Sequence, residues 1–221
     1  MEFRMARGDL RLMLWLVCLL PWSAGCAGPL PYESWRLGFL APKYMEVWIE
    51  TADVVDIHDR AFRHAMSGVA SIRLPKDLSG NPKGWPHHPG MGAGKQVMGA
   101  DVPRLIYVRW QSMVEPQTYE AFIVIPKAIQ EEMPKGEKAF CDFDTKWITD
   151  YRKILTVGLA PGGVAKVWLM GACLDAIDVA RVQGEVVKRG PYGGKSGGKH
   201  RPLSDTAKAY VEKYGIPYGS W

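Results

Sequence analysis

The chain has 221 residues, 28 Lys and Arg against 23 Asp and Glu, a formal net charge of +5 and 47% hydrophobic residues. That length supports one domain with a real core. The small basic excess suits weak attraction to anionic surfaces and lacks the concentrated charge of a nucleic-acid footprint.

The first predicted element is an export signal. Arg4, Arg7 and Arg11 precede an apolar run over 12–20, and Ser23-Ala24-Gly25-Cys26 follows Pro21-Trp22. A basic start, a short apolar core and small residues at a cut site are the three parts of a secretory signal. The run is too short to cross a bilayer, which takes about 20 apolar residues. Small residues before Cys26 resemble the lipobox of bacterial lipoproteins, in which the thiol carries a diacylglycerol and the peptide is cut just before it. The expected organisation is a signal peptide over 1–25, a lipidated tether over 26–34 and a single β-rich globular domain over 35–221. Ser23 stands where that motif usually has Leu, so ordinary cleavage and release of a soluble periplasmic chain is the alternative. Ala27, in place of an Asp, points to an outer-membrane lipoprotein facing the periplasm. Losing residues 1–25 would remove three Arg and two acids and leave a charge of about +4.

Beyond the tether the pattern is mostly β. Strands are predicted over 35–40, 44–57, 69–74, 105–112 and 118–125. In the second of these Met45, Val47 and Ile49 alternate with Glu46, Trp48 and Glu50, the period of a half-buried strand. A hairpin is predicted over 154–160 and 164–170, joined by Pro161-Gly162-Gly163, because Pro fixes one turn torsion and Gly accepts positive φ. Helices are expected over 127–133, over 174–188, and over 205–214 with Ser204 as cap and Gly215 as stop. Residues 75–103 and 189–202 read as long Pro- and Gly-rich loops, which in compact domains are usually functional or disordered. Strands joined by short turns, with helices late, give an α+β fold of mostly antiparallel, sandwich-like sheet with one or two C-terminal helices.

Cys18 would leave with the signal and Cys26 would take lipid, leaving Cys141 and Cys173. An oxidising compartment permits a disulfide between them; two buried free thiols are the alternative, since spacing does not bring two Cα atoms together.

Several local patterns carry possible chemistry. Gly194-Lys195-Ser196-Gly197-Gly198 matches the letters of a nucleophile elbow, but no apolar strand precedes it and a flexible loop is the expectation. It also lacks the first glycine of a phosphate loop, having Arg189 there, and Gly94-Lys95 fails the same test. Asp53, Asp56, His58, Asp59 and His64 crowd one segment without a paired-histidine zinc signature, so a solvated turn is expected. His87-His88 lies between prolines and cannot easily converge on a metal. Asp142-Phe143-Asp144 begins like a calcium loop whose later ligands are missing. No cofactor, metal, nucleotide or nucleic-acid partner is expected.

Trp35-Arg36-Leu37-Gly38 with Pro42, residues 44–59, residues 104–115 with Trp110, Ser112 and Glu115, then Tyr119, then 157–163 leading to Trp168 and Gly171, together resemble a family of Gram-negative lipoproteins known only as a domain of unknown function. The resemblance spans nearly all of the mature part, and its motifs read as structural. It implies a protein partner: such lipoproteins often sit beside secreted antibacterial toxins, including lipases of type VI secretion, and some act as immunity proteins. The expected function is a lipid-anchored binding protein without catalytic activity that neutralises such an effector. Trp85, His87 and His88 in one loop, and Arg189, Lys195 and Lys199 in the other, are the expected partner-binding residues. The rival readings are a structural or housekeeping envelope lipoprotein, and a periplasmic hydrolase built from distant residues such as Asp56, His58 or Glu115.

Overall fold

The computed structural model of the chain describes residues 30–221. Cys26 and the anchor expected on it, with the rest of 1–29, lie outside the described residues.

Two five-stranded sheets face each other. The first has the order β11 (Ile177–Gln183), β10 (Val164–Met170), β9 (Ile154–Ala160), β1 (Ser34–Leu40), β4 (Ala93–Met98). The second has the order β12 (Glu185–Val186), β6 (Gln117–Val124), β5 (Pro103–Ser112), β2 (Val47–Asp56), β3 (Ala61–Val69). β7 (Gly136–Cys141) and β8 (Lys146–Tyr151) form a separate hairpin. Pairing between these strands is antiparallel except for β1 beside β9, where Arg36 faces Ile154 and Leu40 faces Gly158. The α+β, mostly antiparallel sandwich expected from sequence is the fold found.

The core lies between the sheets. Leu37, Phe39, Leu155, Val157 and Val167 meet Ile49, Val54, Ile106, Val108, Trp110 and Ile123 there. Each such side chain contributes about 1.5–3 kcal/mol when fully buried. β9 is buried along its whole length, because its outer face is also covered, by the 75–92 segment and the C-terminal tail. Its near-continuous apolar run, broken by Thr156, follows from cover on both faces.

The 154–160 and 164–170 strands, and the hairpin between them, occupy the predicted positions. Gly162 sits at φ 77° in the turn, which an L side chain adopts only with strain. The helix α2 (Asp205–Tyr214) is capped as predicted: Ser204 Oγ accepts from the Ala207 N–H, and Gly215 has φ 73°. α1 (Lys127–Glu132) follows Pro126.

Three expectations fail. Residues 174–188 are not a helix but β11 and β12. Ile177, Val179 and Val182 suit a strand as well as a helix face, and β10 has an edge that β11 satisfies, with a bulge at Val167/Trp168. Gly184 then carries the chain from the first sheet to the second. Its N–H donates to Gly163 O at 2.8 Å, and a Cβ there would lie 2.6 Å from the Trp110 ring. The third strand is Ala61–Val69, not 69–74, of which only Ser71 bridges to Leu40. The 75–103 segment is not wholly irregular, since it contains β4.

Cys141 and Cys173 are joined in a disulfide with their Cα atoms 5.0 Å apart, which decides between the two alternatives. No helix among the described residues is long and apolar enough to cross a membrane.

Candidate functional site

One concavity is a cleft of about 480 Å³ lined by residues 40–43, 71–73, 81–86 and 88–92. Each wall is held from below. Tyr44 stacks on Tyr210 of α2, rings 3.9 Å apart, and its hydroxyl donates to Ser79 O at 2.5 Å and Pro75 O at 3.3 Å. Asp77 and Asn81 accept from the Ser79 and Lys83 backbone N–H groups, local turns that short polar side chains favour. The Trp221 indole donates to Pro82 O at 2.8 Å, and Thr156 Oγ1 donates to Gly90 O at 2.9 Å. Pro82, Pro86 and Pro89 restrict the loop further. The wall is therefore preformed.

Trp85 is the anchor of that wall. Its ring lies edge-on to Trp168, centroids 5.3 Å apart, above Gly158, where a Cβ would come within 2.6 Å of it. The half-buried Trp85 thus shapes the cleft from within the packing rather than standing free. Its Nε1 is buried without an acceptor, which costs about 1–3 kcal/mol.

The cleft is positive. Lys43, Arg73, Lys83 and His88 line it, and no carboxylate does. Among the described residues, none of the three cations, Lys43, Arg73 and Lys83, stands in an ion pair. Unopposed cations around a concavity focus field into it and favour anionic ligands. His87 does not line the cleft; its Nδ1 sits 3.3 Å from His88 Nε2 on an exposed turn.

The basic Gly-rich loop lies elsewhere, on the outer face of the second sheet. That face is Glu46, Trp48 and Glu50 of the period-2 pattern, and it is covered rather than solvated. Buried Glu50 accepts from Arg109 Nε at 2.7 Å, from Gln111 Nε2 at 2.9 Å and from the Tyr192 N–H at 2.8 Å. Gln111 accepts from the Arg201 N–H and Glu46 from the Ser204 N–H, both at 2.8 Å, and the Arg201 guanidinium lies 3.5 Å over the Trp48 ring. Ser196 donates to Pro191 O inside this pinned turn, with no strand leading into it. Arg189, Lys195 and Lys199 are exposed, and none lines the cleft. The structure does not bring the two expected partner-binding sets together.

The residues considered for hydrolysis are engaged in holding turns. Buried Asp56 accepts from the His58 and Arg60 N–H groups at 2.9 and 3.0 Å, the Asp101 N–H at 3.2 Å and Arg60 Nε at 2.8 Å. Burial alone would raise its pKa, but the Arg60 side chain and these backbone donors outweigh it and hold the carboxyl below its ordinary value. His58 pairs with Asp101, Asp59 with Arg104, and His64 with Thr51. Glu115 accepts from the Gly162 N–H, Tyr119 and Tyr218, all within 3.1 Å. Burial and then the Glu115 charge push the Tyr218 phenol up to about 12 and raise that of Tyr119 as well. This cluster ties the β5–β6 turn, the β9–β10 turn and the C-terminal tail together. Among the described residues, no three His, Cys, Asp or Glu side chains are grouped to hold a metal.

Sequence reading found Trp85 and His88 but missed Lys43, Arg73 and Lys83. They come from three separate segments, and only the folded chain brings them to one wall. The one available signal was the absence of acids from 78–100.

Fold and cleft together define an antiparallel two-sheet sandwich bearing a preformed, basic, carboxylate-free cleft. The chain belongs to the family described as "Protein of unknown function (DUF2931)", whose model matches residues 23–219. No curated protein and no solved structure matches the chain.

Proposed function

We propose that this is a lipid-anchored, periplasm-facing binding protein without catalytic activity, an immunity protein that neutralises an envelope-targeted, lipase-type effector of type VI secretion. The observation that carries the binding reading is the basic cleft. Lys43, Arg73 and Lys83 line it without carboxylate partners, and its wall is fixed before any ligand arrives. A fixed wall reduces the ordering cost of association, and unpaired cations speed encounter with an acidic loop. The occupied state of Asp56, His58 and Glu115 supports binding over hydrolysis. The Ser23-Ala24-Gly25-Cys26 sequence supports the anchor and Ala27 the outer membrane. The effector-directed role rests on the resemblance to immunity lipoproteins.

The experiment is a titration of the purified chain against the toxin encoded beside its gene. One-to-one binding is expected, and the double reversal Lys43→Glu/Lys83→Glu should weaken it at least tenfold at low salt, with a smaller effect as salt rises. Binding that is indifferent to these reversals would remove the cleft from the reading.

A further inference from the structure

The β7–β8 hairpin stands apart from both sheets and presents aromatic side chains to solvent. Phe143, in its turn, is 97% exposed and Trp147 71%. Phe140 faces Trp147 across the strands, rings 5.8 Å apart. A cluster of large exposed rings at one projecting end marks a contact surface.

The hairpin is held rigidly. The Cys141–Cys173 disulfide fastens its tip end to the β10–β11 loop. Asp150 Oδ2 accepts from the Cys173 N–H at 2.8 Å. At the base Arg152 Nε donates to Glu137 Oε1 at 2.8 Å, and the same guanidinium reaches Asp175 O. A surface fixed this firmly loses little entropy when it docks.

The N-terminal segment enters the domain at the hairpin's base. Tyr32 packs edge-on against Tyr151, rings 5.7 Å apart, and its hydroxyl donates to Met133 O at 3.1 Å. From Tyr32 back to Cys26 the chain spans at most about 20 Å when extended. From Tyr151 to Lys146 the strand advances about 17 Å at roughly 3.3 Å per residue. A bilayer holding a lipid on Cys26 is therefore within reach of the hairpin tip.

We infer that Phe140, Phe143 and Trp147 dock into the headgroup region of the phospholipid bilayer to which Cys26 tethers the chain; this rests on the anchored reading above. Aromatic rings favour that region, where one edge stays wet and the rest leaves water. Lys138 and Lys146 offset Asp142 and Asp144, so docking comes from ring burial and is insensitive to salt.

The test uses the full chain, reconstituted into phosphatidylethanolamine–phosphatidylglycerol vesicles with brominated acyl chains. The Trp147 emission is taken as the difference between the native chain and Trp147→Phe. Bromine should quench it, and Phe143→Ser should relieve the quenching without changing Tm, since that ring is exposed. The mature chain over 26–221 with Cys26→Ala, which lacks both the acyl groups and the apolar signal, should still partition weakly onto the same vesicles. Phe143→Ser/Trp147→Ser in that background should cut partitioning at least tenfold, with added salt changing little. An unquenched Trp147 in vesicle-bound protein overturns the inference, as does protection of the tip that requires a protein and not lipid. Mass analysis of the N-terminal fragment reads the anchor separately: a chain without acyl groups removes the anchor, while the Cys26→Ala partitioning still decides the tip.

Discussion

Asp56 shows how a residue that looks chemical in sequence becomes structural in the fold. It sits where β2 ends and organises the turn with backbone donors and Arg60. Replacing it with Asn puts an N–H₂ group among donors and leaves Arg60 without its carboxylate, so Asp56→Asn should destabilise by about 2–3 kcal/mol at neutral pH. The sign with pH follows from a depressed folded pKa. The contribution is fully present above the ordinary Asp value, about 3.9, and is lost as pH falls through the lower folded value. Urea titrations of both proteins should therefore diverge at pH 7 and converge as pH falls below about 4. A gap that stays constant down to pH 2 would show that Asp56 does not carry this linkage. The crowding of acids and histidines over 53–64 is legible in sequence; which partners each one faces is not, because Asp101 arrives from the β4–β5 turn and Arg104 from β5.

Elements were legible where local rules and tertiary demand agree. The Pro161-Gly162-Gly163 hairpin and the Ser204-capped helix have turn and cap residues that permit little else. β11 is ambiguous in sequence because Ile177 and Val179 keep a strand's spacing while Val179 and Val182 keep a helix's, and the open edge of β10 then decides. β4, β7 and β8 were missed because Gly94 interrupts one and the hairpin strands bury few side chains. Sequence leaves the disulfide open because two cysteines 32 residues apart meet only through the placement of that hairpin. Closing a loop of this size contributes about 3–4 kcal/mol on the chain-entropy account. Cys141→Ser/Cys173→Ser should lower stability by that amount and raise hydrogen exchange in β7–β8 well before it rises in β9 and β10. Uniform loss of protection across the chain would instead mean that hairpin and sandwich unfold as one unit.

At the scale of the molecule, the sandwich supplies a rigid body whose sheets are covered on their outer faces by the 75–92 and 189–204 segments. The long loops legible in sequence are thus mostly fastened down, and the surface left for recognition is the cleft that one of them walls. The partner-binding residues proposed from sequence divide accordingly: Trp85 and His88 belong to the cleft, while Arg189, Lys195 and Lys199 lie on the covered second sheet. In the proposed function, this body protects the envelope by binding a toxin. The most direct measurement is the survival of cells lacking this gene when sister cells deliver the lipase-type effector that the proposal expects beside it. Survival should fall by orders of magnitude, and the native chain should restore it while Lys43→Glu/Lys83→Glu restores it poorly. Equal survival of deletion and parent strains under that attack would contradict the account.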